Sequence, residues 1–398
     1  MNTIANSILI LNGGSSSIKF ALFTANPSLQ IRIKGEIERI GSSNAVFSTQ
    51  AGEHDARTTQ PVVATDYASA VKLFIDWINE KDIDGALLAV GHRIVHGGPN
   101  FHEAQRLTSA LMAQLQELAP LDRQHMPGEL SLADAFQKRF PQVPQIVCFD
   151  TAFHHDLPRV AQMLPIPRRY EAQGVRRYGF HGLSYEFLMS ELTRTDGVAA
   201  SGRIILAHLG NGASLAAVVN GKSVDTSMGF TPTAGVPMGT RSGDLDPGLV
   251  EYMARTENMD AETFDELVNF KSGLLGVSET SADMRDLLKV EADDVRARDA
   301  VALFCYQIKK CIGAYAAALG GLDTLVFAGG IGEKAPVVRA RICTGLEFLG
   351  IELDATLNER NADLISTDGS RVKVRVIRTN EELVIARAVC RVLEISTA

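Results

Sequence analysis

Cysteine is scarce in this sequence. Its five cysteines (Cys148, Cys305, Cys311, Cys343 and Cys390) are odd in number and scattered, and no two form a C-x-x-C pair. That excludes a disulfide framework and a zinc ribbon, and it reads as buried thiols in a reducing cytosol. Basic residues are in deficit as well: 39 Lys and Arg face 47 Asp and Glu, a formal net charge of -8. A nucleic-acid or polyanionic partner is therefore not expected, and any anionic ligand must be held by locally placed cations. No apolar run approaches the ~20 residues that a membrane span needs, and Met1 to Ser7 has neither basic residues nor a long apolar segment. The chain is expected to be cytoplasmic. There is no G-x-x-x-x-G-K-[ST] sequence, and no strand leads into a full G-x-G-x-x-G, which excludes a P-loop nucleotidase and a dinucleotide fold.

What is present suits a soluble enzyme. Hydrophobic residues make up 45% and charged residues 22% of 398 positions, a length that predicts roughly two domains of about 150 to 200 residues. Ile8 to Leu11 is a short apolar run, Asn12-Gly13-Gly14-Ser15-Ser16-Ser17 breaks it, and Ile18 to Phe23 resumes, which reads as strand, tight turn, strand. Two adjacent glycines let backbone N–H groups converge on an anion, with three hydroxyls and Lys19 beside them. An ordinary glycine-rich hairpin explains the turn alone equally well. Repetition favours the anion site, because two hundred residues later Ile204 to Leu209, Gly210-Asn211-Gly212-Ala213-Ser214 and Leu215 to Val219 repeat the unit. Leu29 to Ile37 and Lys222 to Thr226 supply a third strand in each half, the latter across the Asn220-Gly221 hairpin. Tandem duplication of one α/β unit explains the pattern with the fewest assumptions.

Between these units, a polar region rich in Ser, Thr and Gly runs to about Ala64. Tyr67, Ala70, Val71, Phe74, Ile75 and Ile78 then repeat at helical spacing, with Trp77 as core packing. Leu87 to Val95 is a buried strand carrying Arg93 between His92 and His96, before Gly97-Gly98. Either histidine alone is more simply a structural group than a catalyst. Helices are predicted near Leu107 to Leu118 and Glu129 to Phe140, and the strand Gln145 to Phe149 delivers Asp150 at its end. His154 and His155 read as local hydrogen bonding. Tyr178-Gly179-Phe180-His181 precedes a helix starting near Ser184. Thr231 to Gly248, with Arg241, Asp244 and Asp246, reads as an ordered loop carrying function. A long helix from about Ala300 to Leu319 leads to the strand Leu322 to Ala328, which runs into Gly329-Gly330-Ile331-Gly332-Glu333, an arrangement that often binds nucleotide. A last strand, Val372 to Ile377, meets Arg378-Thr379-Asn380-Glu381-Glu382 before a final amphipathic helix.

Leu11 to Lys19, Gly91 to Gly98, Phe149 to His154, Tyr178 to Gly182, His208 to Ser214, Met238 to Gly248, Ser281 to Arg285, Gly329 to Glu333 and Thr379 to Glu382 together resemble the acetate kinases along essentially the full chain. The resemblance implies two duplicated α/β domains of the acetate and sugar kinase/actin-like ATPase type, residues 1–150 plus 381–398 and residues 151–380, with an active-site cleft between them. It implies reversible phosphoryl transfer between ATP and acetate, dependent on Mg2+ or Mn2+, giving acetyl phosphate and ADP, by a homodimer with no nucleic-acid or membrane partner. By motif position Asn12 and Glu381 lie at the metal. Lys19 and the turn His208, Leu209, Gly210, Asn211, Gly212 contact the phosphates, while Asp283, Met284, Arg285, Gly329, Gly330, Ile331, Gly332 and Glu333 hold the nucleotide. Arg93 and His125 bind the acid, with Val95, Phe180 and Pro232 around its methyl group. Asp150, His181 and Arg241 are the catalytic set.

Three features depart from the family pattern: Gly13 stands where Ala or Ser is usual, Asp122-Arg123-Gln124 is inserted before His125, and Lys334 replaces an Asn. Acetate is already ionised at neutral pH, so Asp150 reads as an orienter of metal-bound water or of an arginine, against the family reading as acid/base. Packing of the cleft walls explains Val95, Phe180 and Pro232 as an alternative to an acyl pocket. A propionate or butyrate kinase is the close alternative function. A nucleotide-driven switch on the same fold is the alternative from another class.

Overall fold

The computed structural model describes residues 6–14, 16–25, 28–52 and 55–396. Residues 1–5, most of the stretch weighed above as a targeting segment, and Ser15 of the first glycine turn lie outside the described residues. The chain divides into two compact units, Met1–Ala152 with Asn380–Ala398, and Phe153–Thr379.

In the first unit, β1 (Ser7–Gly13), β2 (Ser17–Thr24) and β3 (Gln30–Glu38) form an antiparallel meander. The polar region after it is not featureless, since β4 (Val46–Ala51) and β5 (Thr58–Pro61) extend the sheet. β5 is exposed along its whole length. An edge strand held by backbone hydrogen bonds alone has no apolar alternation to reveal it. On the other side of β1 lie β6 (Leu87–Ile94), parallel to it, the two-residue β7 (Gln105–Arg106) and β8 (Gln145–Phe149), giving the order β5-β4-β3-β2-β1-β6-β8-β7 among the described residues.

The second unit repeats the central part of this order. β9 (Arg203–Leu209), β10 (Ala213–Val219) and β11 (Lys222–Thr226) form an antiparallel meander, and β12 (Thr324–Ala328) and β13 (Lys373–Val376) add to β9 in parallel. Three antiparallel strands followed by two parallel ones thus occur twice. Asn220 and Gly221, both at positive φ (51° and 75°), make the two-residue turn between β10 and β11.

Packing follows from the predicted periodicities. The helix Tyr67–Glu80 starts at a capping box, in which Asp66 accepts from Ser69 N, and it buries Ala70, Val71, Phe74 and Ile78. Trp77 stacks on Phe74 with centroids 5.8 Å apart and packs against Phe20 and Phe47. In the second unit the helix Val295–Leu319 buries Phe304, Ile308, Ile312 and Tyr315 and stops at Gly320, φ 69°. The final helix, Glu381–Val392, returns to the first unit because Gly91 lets it approach β6: a Cβ there would meet Ile385 at 2.7 Å and Val389 at 2.9 Å. Of the five cysteines four are buried and Cys311 is half-buried, and none is in a disulfide. No helix among the described residues is long and apolar enough to cross a membrane.

His92 lies wholly inside the first unit, edge-on to Phe136, with Nε2 donating to Gln145 Oε1 at 2.6 Å. Burial holds its pKa down at about 4, whereas an unfolded histidine titrates near ~6.5. Between these values the unfolded chain takes up a proton that the folded chain refuses. Stability should be full above pH ~6.5 and fall as the pH drops towards the folded value. Urea denaturation at pH 7 and pH 5 should show the His92→Gln variant losing less stability than the wild type, by roughly 2 kcal/mol. Equal losses would show that this histidine does not govern acid sensitivity.

Candidate active site

In the first unit the site residues gather where parallel strands end. β6 and β8 run side by side, with Ile94 opposite Phe149, so Arg93 and Asp150 leave the sheet at the same edge. Both Nε and Nη2 of Arg93 donate to Asp150 Oδ2, at 3.1 and 2.5 Å. One edge of the guanidinium expected to bind the acid is therefore already engaged by Asp150 in this structure. Nη1 donates to Glu129 Oε1 at 2.8 Å and to the Gly13 carbonyl at 3.3 Å. At the end of β1, Asn12 Nδ2 donates to Glu381 Oε2 at 3.3 Å, joining the first turn of the last helix to the first glycine turn. Lys19, opposite Asn12 on β2, is exposed.

The electrostatics are crowded. Burial opposes the charge on Arg93, but Asp150, Glu129 and Glu381 outweigh it and raise the pKa of the guanidinium. Burial pushes the Glu129 carboxyl up to about 8 despite Arg93. Burial and the neighbouring Asp150 charge push half-buried Glu381 up to about 7. Asp150 Oδ1 is buried with no hydrogen-bond partner.

Those features bear on the implied metal. No group of three or more His, Cys, Asp or Glu able to hold an ion occurs among the described residues. Mg2+, however, commonly takes one or two carboxylates and completes its shell with water and substrate phosphates. An unpartnered carboxylate oxygen on Asp150, a carboxyl on Glu381 whose charge is disfavoured, and the Asn12 amide are oxygen-rich chemistry that fits such an ion.

His125 starts the helix Met126–Arg139, and its Nδ1 lies 3.0 Å from Asp122 Oδ1. The same oxygen accepts the N–H groups of Gln124 and His125. His125 holds the Asp122 carboxyl below its ordinary range against the effect of burial. The insertion that departs from the family pattern thus supplies the anchor for His125. His92 and His96 are structural, the latter accepting from Gly98 N through Nδ1 at 2.8 Å. Val95 is buried, with its N–H on Glu129 Oε2 at 2.7 Å.

In the second unit, His181 opens the helix Gly182–Asp196 in the left-handed region, φ 59°. Its Nδ1 meets Ser214 Oγ at 2.8 Å, Ser214 also meets Tyr185 Oη, and the His181 ring stacks on His208 with centroids 4.4 Å apart. His208 is oriented by Ser184, which in turn touches Thr379. A Cβ on Gly212 would lie 3.2 Å from His181 Nε2 and 3.6 Å from Arg241 Nη1, so this glycine sits between the imidazole and the guanidinium. Arg241 Nη1 reaches the Pro232 carbonyl at 3.3 Å. Phe180 and Pro232 are buried, and the Phe180 carbonyl accepts from His154, whose other ring nitrogen meets Ser223.

The glycine turns lie back to back. A Cβ on Gly329, φ 75°, would be 2.7 Å from the Leu209 carbonyl, and one on Gly210 would be 3.9 Å from Gly330 N. Space above Gly330 is open. Glu333 Oε1 accepts from Gly329 N and Thr379 N, and wholly buried Arg339, unnoticed in the sequence, props the turn by donating to the Gly332 carbonyl at 2.8 Å. Asn211 O accepts from Gly239 N, and a Cβ on Gly239 would lie 3.3 Å from the Ala282 carbonyl. Asp283 follows, capping the helix Met284–Val290 and pairing with the exposed Arg285 at 2.5 Å, while Met284 is buried. Lys334 is exposed. Within the second unit, then, the structure brings together the predicted phosphate, nucleoside and catalytic positions.

Residues 7–387 match the model of the acetokinase family. A propionate kinase from Citrobacter rodentium is 44% identical, with 98% of this chain and 97% of that protein covered. An acetate kinase from Rhodopseudomonas palustris is also 44% identical, over 98% and 99%. Among solved structures, the acetate kinase of Porphyromonas gingivalis superposes with a TM-score of 0.87 at 37% identity, over 98% of this chain and all of that one.

The loop carrying Arg241 depends on Gly273, φ 60°, where a Cβ would stand 2.2 Å from the Met238 carbonyl and 2.6 Å from the Arg241 carbonyl. Both neighbours are backbone and cannot swing aside. Gly273→Ala should therefore cost about 2 kcal/mol or more, and should speed hydrogen exchange of Leu274 N–H, which bonds the Met238 carbonyl. Unchanged urea stability and exchange would remove this constraint.

Proposed function

The chain belongs to the acetokinase family, and from that membership we propose that it is an acetate kinase, transferring the γ-phosphoryl group of ATP to acetate and back. The observation that carries the reading is the placement of Arg93: a half-buried guanidinium at a strand end, two residues from the apolar Val95 and fixed by Asp150. A short carboxylate needs that combination of one fixed cation and a small apolar wall. Asn12 and Glu381 would hold Mg2+, which supplies charge neutralisation between phosphate oxygens. Asp150 orients Arg93, which leaves no need for a general base. Lys19, the turn His208 to Gly212 and the turn Gly329 to Glu333 bind phosphates, with Asp283, Met284 and Arg285 beside the nucleoside.

Attack by acetate brings anions together, and at ~4 Å with an effective dielectric near ~20 each charge pair costs about 4 kcal/mol. Cations must offset this. His181 and Arg241 meet the charge that develops on the transferring phosphoryl group, and Ser214 fixes the His181 ring for that purpose. We place the enzyme in the cytoplasm as a homodimer. Exposed apolar side chains of the second unit, Leu245, Tyr252 and Tyr306 among them, support an interface there.

Incubation with ATP, acetate and hydroxylamine should yield acetohydroxamate, because only an acyl phosphate is trapped in this way. A nucleotide switch would release phosphate without it. Asp150→Asn should abolish nearly all turnover while ATP affinity stays within a few fold. Retention of substantial kcat would remove Asp150 from the reacting centre.

The two arginines should fail differently. Lysine keeps the charge but loses the planar fork. Arg93→Lys should mainly raise KM for acetate and Arg241→Lys should mainly lower kcat. The reverse pattern would exchange their roles.

Acyl length is the remaining question. With Val95 as the apolar wall at the methyl group, an extra methylene gains ~0.8 kcal/mol by burial but costs ~1 to 3 kcal/mol by overpacking. Acetate should lead propionate by roughly tenfold in kcat/KM, with butyrate poorer again. Val95→Ala should narrow the gap. A wild type preferring propionate would make this chain a propionate kinase.

A further inference from the structure

Glu129 carries no role in the reading above, yet its geometry is specific. The residue is only 2% exposed. Oε1 accepts from the Arg93 guanidinium and Oε2 from the Val95 N–H, at 2.8 and 2.7 Å. One carboxylate therefore ties the substrate-binding cation to the backbone of the acyl wall. The helix Met126–Arg139 presents it in its first turn, where Glu129 N donates to the His125 carbonyl at 3.1 Å.

What holds Glu129 is equally specific. Tyr67 lays its ring over Gly128, where a Cβ would lie 3.4 Å from Cζ, and its hydroxyl is buried without a partner. A Cβ on Gly13 would stand 2.5 Å from that hydroxyl and 3.4 Å from Glu129 Cγ. The missing side chain at position 13, unusual in the family pattern, is the room that Tyr67 uses. Gly13 O accepts from Arg93 Nη1, so the guanidinium joins Gly13 to Glu129, and the Tyr67 hydroxyl fills the space over Gly13 near them. A guanidinium has five N–H donors. Arg93 commits two to Asp150, one to Glu129 and one to Gly13, leaving a single Nη2 N–H of fixed direction for a ligand.

We propose that Glu129 is a positioning residue for the carboxylate substrate, fixing Arg93 and the Val95 wall in one register, and that Tyr67 in the space left by Gly13 holds Glu129 in place. This rests on the assignment of Arg93 to the substrate carboxylate. Glu129→Gln keeps the shape of the side chain but gives up one of the two acceptors that receive Arg93 and the Val95 N–H. Glu129 acts on how the acid is received and leaves the nucleotide turns of the second unit untouched.

The test is steady-state kinetics of the full chain with hydroxylamine trapping, together with thermal unfolding, on Glu129→Gln, Tyr67→Phe, Gly13→Ala and the double variant Gly13→Ala/Tyr67→Phe. Glu129→Gln should raise KM for acetate about tenfold with KM for ATP within twofold. Gly13→Ala should raise KM for acetate by driving the Tyr67 hydroxyl towards Glu129. In the double variant Tyr67→Phe should relieve that defect, because the hydroxyl that meets the added methyl group is gone. That non-additivity is what coupled neighbours show, and it probes the proposal even where Glu129→Gln does not fold. A Glu129→Gln enzyme with a lower melting temperature and an unaltered KM for acetate would make Glu129 merely structural and overturn the proposal. A Gly13→Ala defect that Tyr67→Phe fails to relieve would overturn it too. A wild type that yields no hydroxamate overturns the kinase reading and this inference together, whereas an active wild type with indifferent variants overturns this inference alone.

Discussion

A half-buried cation among three acidic side chains sets the character of the first unit. Arg93 meets Asp150 and Glu129 directly, and Glu381 raises its pKa further. One positive charge faces three acidic side chains, and burial pushes the carboxyl of Glu129 up to about 8. Burial first and the neighbouring Asp150 charge second disfavour charge on Glu381. Such a site welcomes further positive charge and resists a lone carboxylate. Affinity for the acid and affinity for a cation should therefore be linked, each binding better in the presence of the other.

The second unit solves a related problem by other means. Its proposed anion-facing groups are glycine turns at the ends of β9 and β12, where a side chain at Gly329 would collide with backbone and those at Gly210 and Gly212 would press on backbone and on the His181 ring. Backbone N–H groups carry no titratable charge, so turns of this kind can receive an anion without the pKa shifts seen around Arg93. The same strand order thus supports two chemistries. In the first unit side chains supply the charge, and in the second the main chain supplies the donors while His181 and Arg241 stand beside Gly212.

Much of this was legible because it depends on local pattern. Strand, glycine turn, strand is a short-range signal, and β1, β2, β9 and β10 fall where the apolar runs lie. β5 was not legible, since an exposed edge strand carries no apolar face. Glu129 left a signal that went unused: the buried stripe of its helix runs through Met126, Leu130, Ala133 and Phe136, and a glutamate on that stripe needs a buried partner. The partner, Arg93, is 36 residues away in sequence, and only the fold brings it near. Asp122 shows the opposite failure. Seen as part of an insertion it reads as a disturbance, yet it is what holds the His125 ring and backbone.

Relatives named acetate kinase and propionate kinase match this chain at the same 44% identity, and the physics explains why overall likeness does not separate them. The two acids differ by one methylene, worth ~0.8 kcal/mol of burial, which one or two wall residues can grant or refuse. In this chain the wall is braced. Val95 cannot drift outwards on a flexible backbone, because its N–H is held at 2.7 Å by a carboxylate that also holds Arg93. A longer acid would have to be accommodated by side-chain volume alone or by breaking a charge-assisted hydrogen bond, and the second route costs more than the methylene returns. On the proposed placement of Val95 at the acid's methyl group, selectivity would follow less from the identity of Val95 than from the rigidity that Glu129 gives it.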